Sequence, residues 1–269
     1  MRKIILNRLI ASLIMIAPVV MCTACAGGSS GDESLDKVLE AKKLVIGLDD
    51  NFPPMGYVDE SGEVVGFDID VAKETCKRLG IELVPKTIEW EDKDDLLNKG
   101  EIDCIWNGMS VNDERRETMS LSEPYMKNNL VFVVSKNSGI KSSDELKGKK
   151  IALQDGTTGA DELMKSDMNS DVETVMFNDS VKMLEYLEEG KVDAVLTDSV
   201  FVYYYIAENN KEFYVLPNEL KTEKFTIGFR KNDEALRDKI QEVLHEMKVD
   251  GTLADISTKW FETDITTVR

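Results

Sequence analysis

From about residue 41 to the end of the chain, short runs of β-branched and aliphatic residues alternate with stretches whose apolar positions recur every three or four residues. That alternation is the pattern of parallel strands covered by amphipathic helices, so the fold class is α/β. In the first half it predicts a strand over 44–48, a hairpin about Asp59-Glu60-Ser61-Gly62, a helix over 68–79, a strand over 81–86, a helix over 93–99 and a strand over 103–106. The second half predicts strands over 130–135, 150–153, 172–177 and 193–196, with helices over 143–146, 159–165 and 179–188. A further strand, 225–231, precedes two helical patterns over 233–249 and 252–260 that need an apolar face to cover. The expected architecture is two α/β lobes, one from 41–128 with 225–269 and one from 129–224. Chain crossings near 128–129 and 222–224 would form a two-strand hinge.

The halves share one plan. LNKGEIDCIWNG (97–108) and LEEGKVDAVLTD (187–198) each read as a helix end, a glycine stop and an apolar strand led by Asp103 or Asp193. Both copies open onto polar residues, Asn107-Gly108-Met109-Ser110 and Thr197-Asp198. Ligands of open α/β sheets bind beyond the carboxyl ends of strands, so these two ends are candidate sites on facing lobes.

The N-terminal segment has a different pattern. Arg2, Lys3 and Arg8 precede an apolar run from Leu9 to Val20, which is too short to span a bilayer and matches an export signal over 1–24. Cys22-Thr23-Ala24-Cys25 resembles the lipobox of bacterial lipoproteins, in which the final cysteine is lipidated. Residues 25–40, beginning with a Gly- and Ser-rich run, are expected to tether the folded body to the membrane. The whole chain carries 33 basic and 51 acidic residues, a net charge of −18. Without the three basic residues of the signal, 30 basic residues remain against the 51 acidic ones, or −21. Such a field repels phosphate backbones, so nucleic acid is excluded as a partner. Cys76 and Cys104 have no metal-ligand spacing and read as small buried hydrophobes. His245 is the sole histidine, which argues against a histidine-based triad or a zinc site. No metal, cofactor or catalytic residue is expected.

Four segments in order carry a more specific resemblance: GLDDNFPPMGYVDESGEVVGFDIDVAKE (47–74), NGMSVNDERRE (107–117), LQDGTTG (153–159) and KVDAVLTDS (191–199). Together they resemble the substrate-binding proteins of polar amino acid ABC importers, solute-binding family 3, across essentially the whole chain after the signal. The resemblance implies a type II periplasmic binding protein fold and a free amino acid held between the lobes. It also implies a monomer that delivers this ligand to a membrane permease driven by separate ATPase subunits. At matching positions it makes Arg115 the carboxylate-binding arginine and Asp198 the ammonium-binding aspartate. It places Phe52 and Trp90 over the ligand and Asp49 where a polar or cationic group is read.

The chemistry of those residue types points the same way. A zwitterion leaving water needs a fixed cation, a fixed anion and further hydrogen bonds. Arg115 falls in the first turn of a helix begun at Asn112-Asp113, where a cation opposes the helix dipole, and its guanidinium matches a carboxylate. Asp155-Gly156-Thr157-Thr158 lies between a strand and a helix, so N–H groups and hydroxyls of Gly156, Thr157 and Thr158 are candidates for the same carboxylate. Ser110, with Asn107 and Gly108, completes the polar end. Asp49, Asp50, Gln154 and Asp155 leave acceptors in excess at the distal end, which favours arginine, lysine, ornithine or histidine; glutamine and cystine stay open. Structural roles compete for these residues: a surface ion pair for Arg115, and helix N-caps for Asp198 and the threonines. Two other functions also compete. One is a cleft enzyme of the same fold, like the cyclohexadienyl dehydratases, which would need a positioned acid or base. The other is a sensory ligand-binding domain, which would continue into a membrane helix and a signalling domain.

Overall fold

Residues 31–269 are described by a computed structural model. The predicted signal at 1–24 and the lipidation candidate Cys25 lie outside the described residues. In chain order the elements are α1 (Ser34–Ala41), β1 (Lys43–Leu48), β2 (Asn51–Phe52), β3 (Gly56–Val58), β4 (Val64–Val65), α2 (Phe67–Leu79), β5 (Glu82–Thr87), α3 (Lys93–Asn98), β6 (Cys104–Ser110), α4 (Asp113–Thr118), β7 (Met119–Leu121) and β8 (Met126–Ser135). They continue with β9 (Lys150–Gln154), α5 (Thr158–Lys165), β10 (Glu173–Phe177), α6 (Ser180–Glu188), β11 (Ala194–Asp198), α7 (Ser199–Asn209), β12 (Phe213–Val215), β13 (Lys221–Arg230), α8 (Glu234–Asp250) and α9 (Thr252–Phe261). The expected helix at 143–146 is a single 3₁₀ turn, Ser143–Leu146, four residues being too few to sustain α-helical hydrogen bonding.

One hydrogen-bonded sheet runs through both lobes in the order β10-β9-β11-β8-β13-β6-β1-β5. Its halves mirror each other. In one lobe β5, β1 and β6 are parallel and β13 is antiparallel to them; in the other, β10, β9 and β11 are parallel and β8 is antiparallel. The two antiparallel strands pair with each other from Lys221 opposite Leu130 to Phe225 opposite Met126, and each then continues into its own lobe. The expected pair of crossings is therefore a pair of long, shared strands. A small three-stranded sheet, β2-β3-β4, carries the predicted hairpin beside the cleft.

The tether expected over 25–40 is too long at its C-terminal end, because Ser34–Ala41 is helical and held to the body. Helix α8 has no capping side chain of its own, so its first N–H groups need partners from elsewhere. Asp32 accepts from Ala235 N (2.6 Å), Ser34 Oγ accepts from Leu236 N (3.1 Å), and Val38 is buried in the core. Cys76 and Cys104 are both free and buried, and burial pushes the Cys76 thiol up to about 12. His245 sits on α8 beside Gln241 and Glu123.

The largest apolar cluster draws on both lobes, with Leu44, Ile46 and Phe67 from one and Leu184, Val195 and Phe201 from the other. Phe52 and Phe201, stacked with centroids 5.5 Å apart, join the two across the cleft. The lobes are therefore in contact, and the site lies in a closed cleft.

Candidate functional site

Between the lobes is a cavity lined by Asp49, Phe52, Trp90, Asn107, Gly108, Ser110, Arg115, Gln154, Thr157, Thr158 and Asp198. The sequence-derived candidates thus converge on one space, except Gly156, which lies in an adjoining groove on the far side of Arg115. The polar run 107–110 is not a loop beyond a strand end, as the sequence suggests, but the last part of β6, buried throughout. The strand continues because β13 pairs along it, with Phe225 opposite Ser110 and Thr226 opposite Met109.

Gly108 shows how closely this strand is fitted. Its φ is +59°, and an added Cβ would lie 2.8 Å from the Phe52 ring. Its N–H donates to Asp68 Oδ2 (2.7 Å), which also accepts from the Tyr125 hydroxyl (2.9 Å). Burial raises the Asp68 carboxyl to about 7 against the pull of those two donors.

Arg115 is buried in α4, where Asn112 caps the helix by accepting its N–H (2.8 Å). Its guanidinium donates to Ser110 O (2.6 Å) and, across the cleft, to Gly156 O (3.2 Å). Lys93 donates to the same Gly156 carbonyl (3.1 Å) and lies over the Trp90 ring at 5.6 Å. Burial lowers the pKa of both cations, and for Lys93 the Arg115 charge lowers it further. Gly156, at φ +67°, brings its carbonyl there; a Cβ on it would meet the Glu91 backbone at 2.9 Å.

In the turn 155–158 the Gly156 N–H and both threonine hydroxyls have partners within the protein, and Thr157 and Thr158 line the cavity. Gly156 N–H donates to Asp155 Oδ1 (2.9 Å), and Thr157 Oγ1 caps α5 by accepting from Ala160 N (3.2 Å). Thr158 Oγ1 donates to Glu223 Oε2 (2.9 Å). Asp198 precedes α7 without capping it; its carboxylate instead accepts from Asn128 Nδ2. Burial, reinforced by the Glu223 charge, raises Asp198 to about 8.

At the other end of the cavity Asp49 accepts from Gln154 Nε2 (2.6 Å) across the cleft and from Asn51 N (2.9 Å). Burial outweighs those bonds and raises it to about 6. Ser180 Oγ donates to Gln154 Oε1 (2.7 Å), which fixes the amide so that its N–H₂ faces Asp49. Asn107 Oδ1 accepts from Asp49 N (3.0 Å). Beyond Asp49, Asn51 donates to Asp179 (2.9 Å), and the Tyr57 and Tyr204 hydroxyls meet at 3.3 Å, further closing the lobes on each other.

Sequence reasoning misses four residues around the site: Asp68, Lys93, Asn128 and Glu223. Two of them carried a signal. Glu223 is in phase with Phe225, Ile227 and Phe229, and Asn128 with Met126, Leu130 and Phe132, so each is a polar residue on the buried side of its strand. Lys93 stands among charged neighbours at a helix start, and nothing in that pattern marks it as buried.

The family model of bacterial extracellular solute-binding proteins, family 3, matches residues 44–263. The L-cystine-binding protein TcyJ of Escherichia coli (strain K12) is 31% identical over 254 residues, covering 92% of this chain and 95% of TcyJ. The fold is similar to that of an ABC uptake transporter substrate-binding protein from Streptococcus pneumoniae with bound histidine, with a TM-score of 0.86 and 35% identity over 89% of this chain and all of that one. Tv2483 bound to L-arginine is similar at a TM-score of 0.85, with 32% identity over 88% of this chain and 98% of that one.

Proposed function

Because the chain belongs to the bacterial extracellular solute-binding proteins of family 3, we propose that it captures a free amino acid between its lobes outside the cytoplasm and hands it, unaltered, to the permease of an ABC importer. Arg115 takes the α-carboxylate and Asp198 the α-ammonium. Phe52 and Trp90 enclose the side chain, and Asp49, held by Gln154, reads its far end. The lipid on Cys25 keeps the protein at the outer face of the membrane, where it works as a monomer with separate permease and ATPase subunits.

The observation that carries the ligand class is the charge of the cavity wall. Two carboxylates, Asp49 and Asp198, and one guanidinium, Arg115, line it. An α-amino acid matches Asp198 and Arg115 with its own two charges, which leaves Asp49 over. A buried charge without a partner is costly, so a cationic side chain is the complement that closes the account. The Trp90 and Phe52 rings supply faces on which such a cation is also favoured. Structures similar to this one hold arginine and histidine, within that range, and another holds glutamine, outside it.

A thermal-shift panel of the common amino acids plus ornithine and cystine tests this. A ligand at about a thousand times its dissociation constant adds about 4 kcal/mol of stability, a clear rise in the midpoint. The largest shifts are expected from arginine, lysine, ornithine or histidine. A flat panel overturns amino acid capture, and a larger shift from glutamine or cystine than from any cation overturns the role given to Asp49.

A further inference from the structure

Glu223 is a charged residue nine-tenths buried on a strand shared by both lobes, and it does not line the cavity. Its Oε2 accepts from Ser110 Oγ of one lobe (2.6 Å) and from Thr158 Oγ1 of the other (2.9 Å), while its Oε1 is buried without a hydrogen-bond partner. The sheet register explains the position. Asp198 on β11 is opposite Leu130 on β8; two residues back along β8, Asn128 is opposite Glu223 on β13; two residues further along β13, Phe225 is opposite Ser110 on β6. Asp198, Asn128, Glu223 and Ser110 therefore form a diagonal across four neighbouring strands.

A hydroxyl has one proton to donate. Ser110 and Thr158 both give theirs to the carboxylate behind them, so toward the cavity each offers only lone pairs. We propose that Glu223 is a positioning residue that determines specificity: it turns both hydroxyls into acceptors and so makes this end of the cavity a seat for a hydrogen-bond donor, the ligand's ammonium, beside Asp198. The inference rests on the amino acid reading and deepens it by naming the residue that fixes the hydroxyl protons at this end of the cavity. Glu223 also repels Asp198 across Asn128, and a ligand cation beside them relieves that repulsion. Buried this way, the negative charge of Glu223 acts through low-dielectric surroundings and works against a carboxylate or carbonyl in the same seat.

The test compares Glu223→Gln with the wild type by calorimetry, using L-arginine, L-histidine, L-glutamine and L-cystine, each beside its analogue lacking the α-ammonium. With its nitrogen in the place of Oε2 the glutamine amide donates to both hydroxyl oxygens and turns their protons toward the cavity; with its oxygen there, the negative charge behind the seat is lost. The preference for the amino acid over its des-amino analogue should fall by at least about tenfold, with binding of the analogue unchanged or improved. A merely structural residue would weaken both ligands alike, and an unchanged preference overturns the proposal. Should Glu223→Gln fail to fold, Ser110→Ala and Thr158→Val remove the same acceptors with Glu223 in place and must reduce the preference in the same direction; if neither does, the proposal is wrong. If no amino acid binds the wild type, the amino acid reading itself fails and takes this inference with it, an outcome distinct from binding with an unaltered preference.

Discussion

The segments 97–108 and 187–198 are alike in their scaffolding and different in their chemistry. Asp103 Oδ2 accepts from Val45 N (2.8 Å) in one lobe, and Asp193 Oδ2 accepts from Lys150 N (2.8 Å) in the other. The backbone repeats too, with Asp103 N–H donating to Val45 O and Asp193 N–H to Lys150 O. After this shared joint the strands diverge. β6 stays buried for seven residues and leads to α4 with its guanidinium, while β11 ends after five on the Asp198 carboxylate. Repetition built the frame, and the departures from it placed a cation on one lobe and an anion on the other.

The sharpest way to break that division is to remove one charge at a time. Arg115→Ala and Asp198→Asn should each lower amino acid affinity by about 2–5 kcal/mol, since each leaves a buried ligand charge unmatched. Calorimetry on the two variants checks this; affinity retained in Asp198→Asn would return that residue to a role at the start of α7. A smaller effect is expected from pH. Carboxyls raised to about 8 at Asp198 and about 6 at Asp49 hold their protons below those values, and a cationic ligand needs both ionised. L-Arginine affinity should therefore fall as pH drops from about 8.5 to about 5.5, by up to about tenfold per unit for each proton retained. Asp49→Asn should flatten the lower part of that profile, and a level profile in the wild type would contradict the assignment. The smallest effect tests the frame itself. Asp103→Ala and Asp193→Ala should each cost about 0.5–1.5 kcal/mol in stability while leaving affinity unchanged, as urea unfolding and calorimetry would show.

Much of the fold was legible because periodicity reports burial, and burial in a parallel sheet is nearly continuous along each strand. The strands 44–48 and 150–153 follow that rule, and the long C-terminal helices bury one face at the helical period. The boundaries at 107–110 and 34–40 were not legible, because each depends on a partner distant in sequence: β13 in the first case and the uncapped start of α8 in the second. The charged and aromatic residues of the cavity were accessible through short segments with recognisable spacing. Their hydrogen-bonding state was not. The Thr157 and Thr158 hydroxyls read as donors to a ligand until the fold gives the proton of one to Gln154 O and of the other to Glu223.

Trp90, at the cavity, belongs to the same lobe as Trp106 and Trp260, and residues 129–224 contain no tryptophan. Trp106 is in the core, while Trp260 meets the Tyr57 ring edge-on at 6.3 Å, and Tyr57 in turn touches Tyr204 of the opposite lobe. Excitation at the red edge of the tryptophan band, where tyrosine scarcely absorbs, therefore illuminates one lobe only. A change in emission colour would report solvent reaching or leaving the Trp90 wall, and the second lobe would stay dark throughout. The molecule carries its own optical gauge of the cleft, without any attached dye.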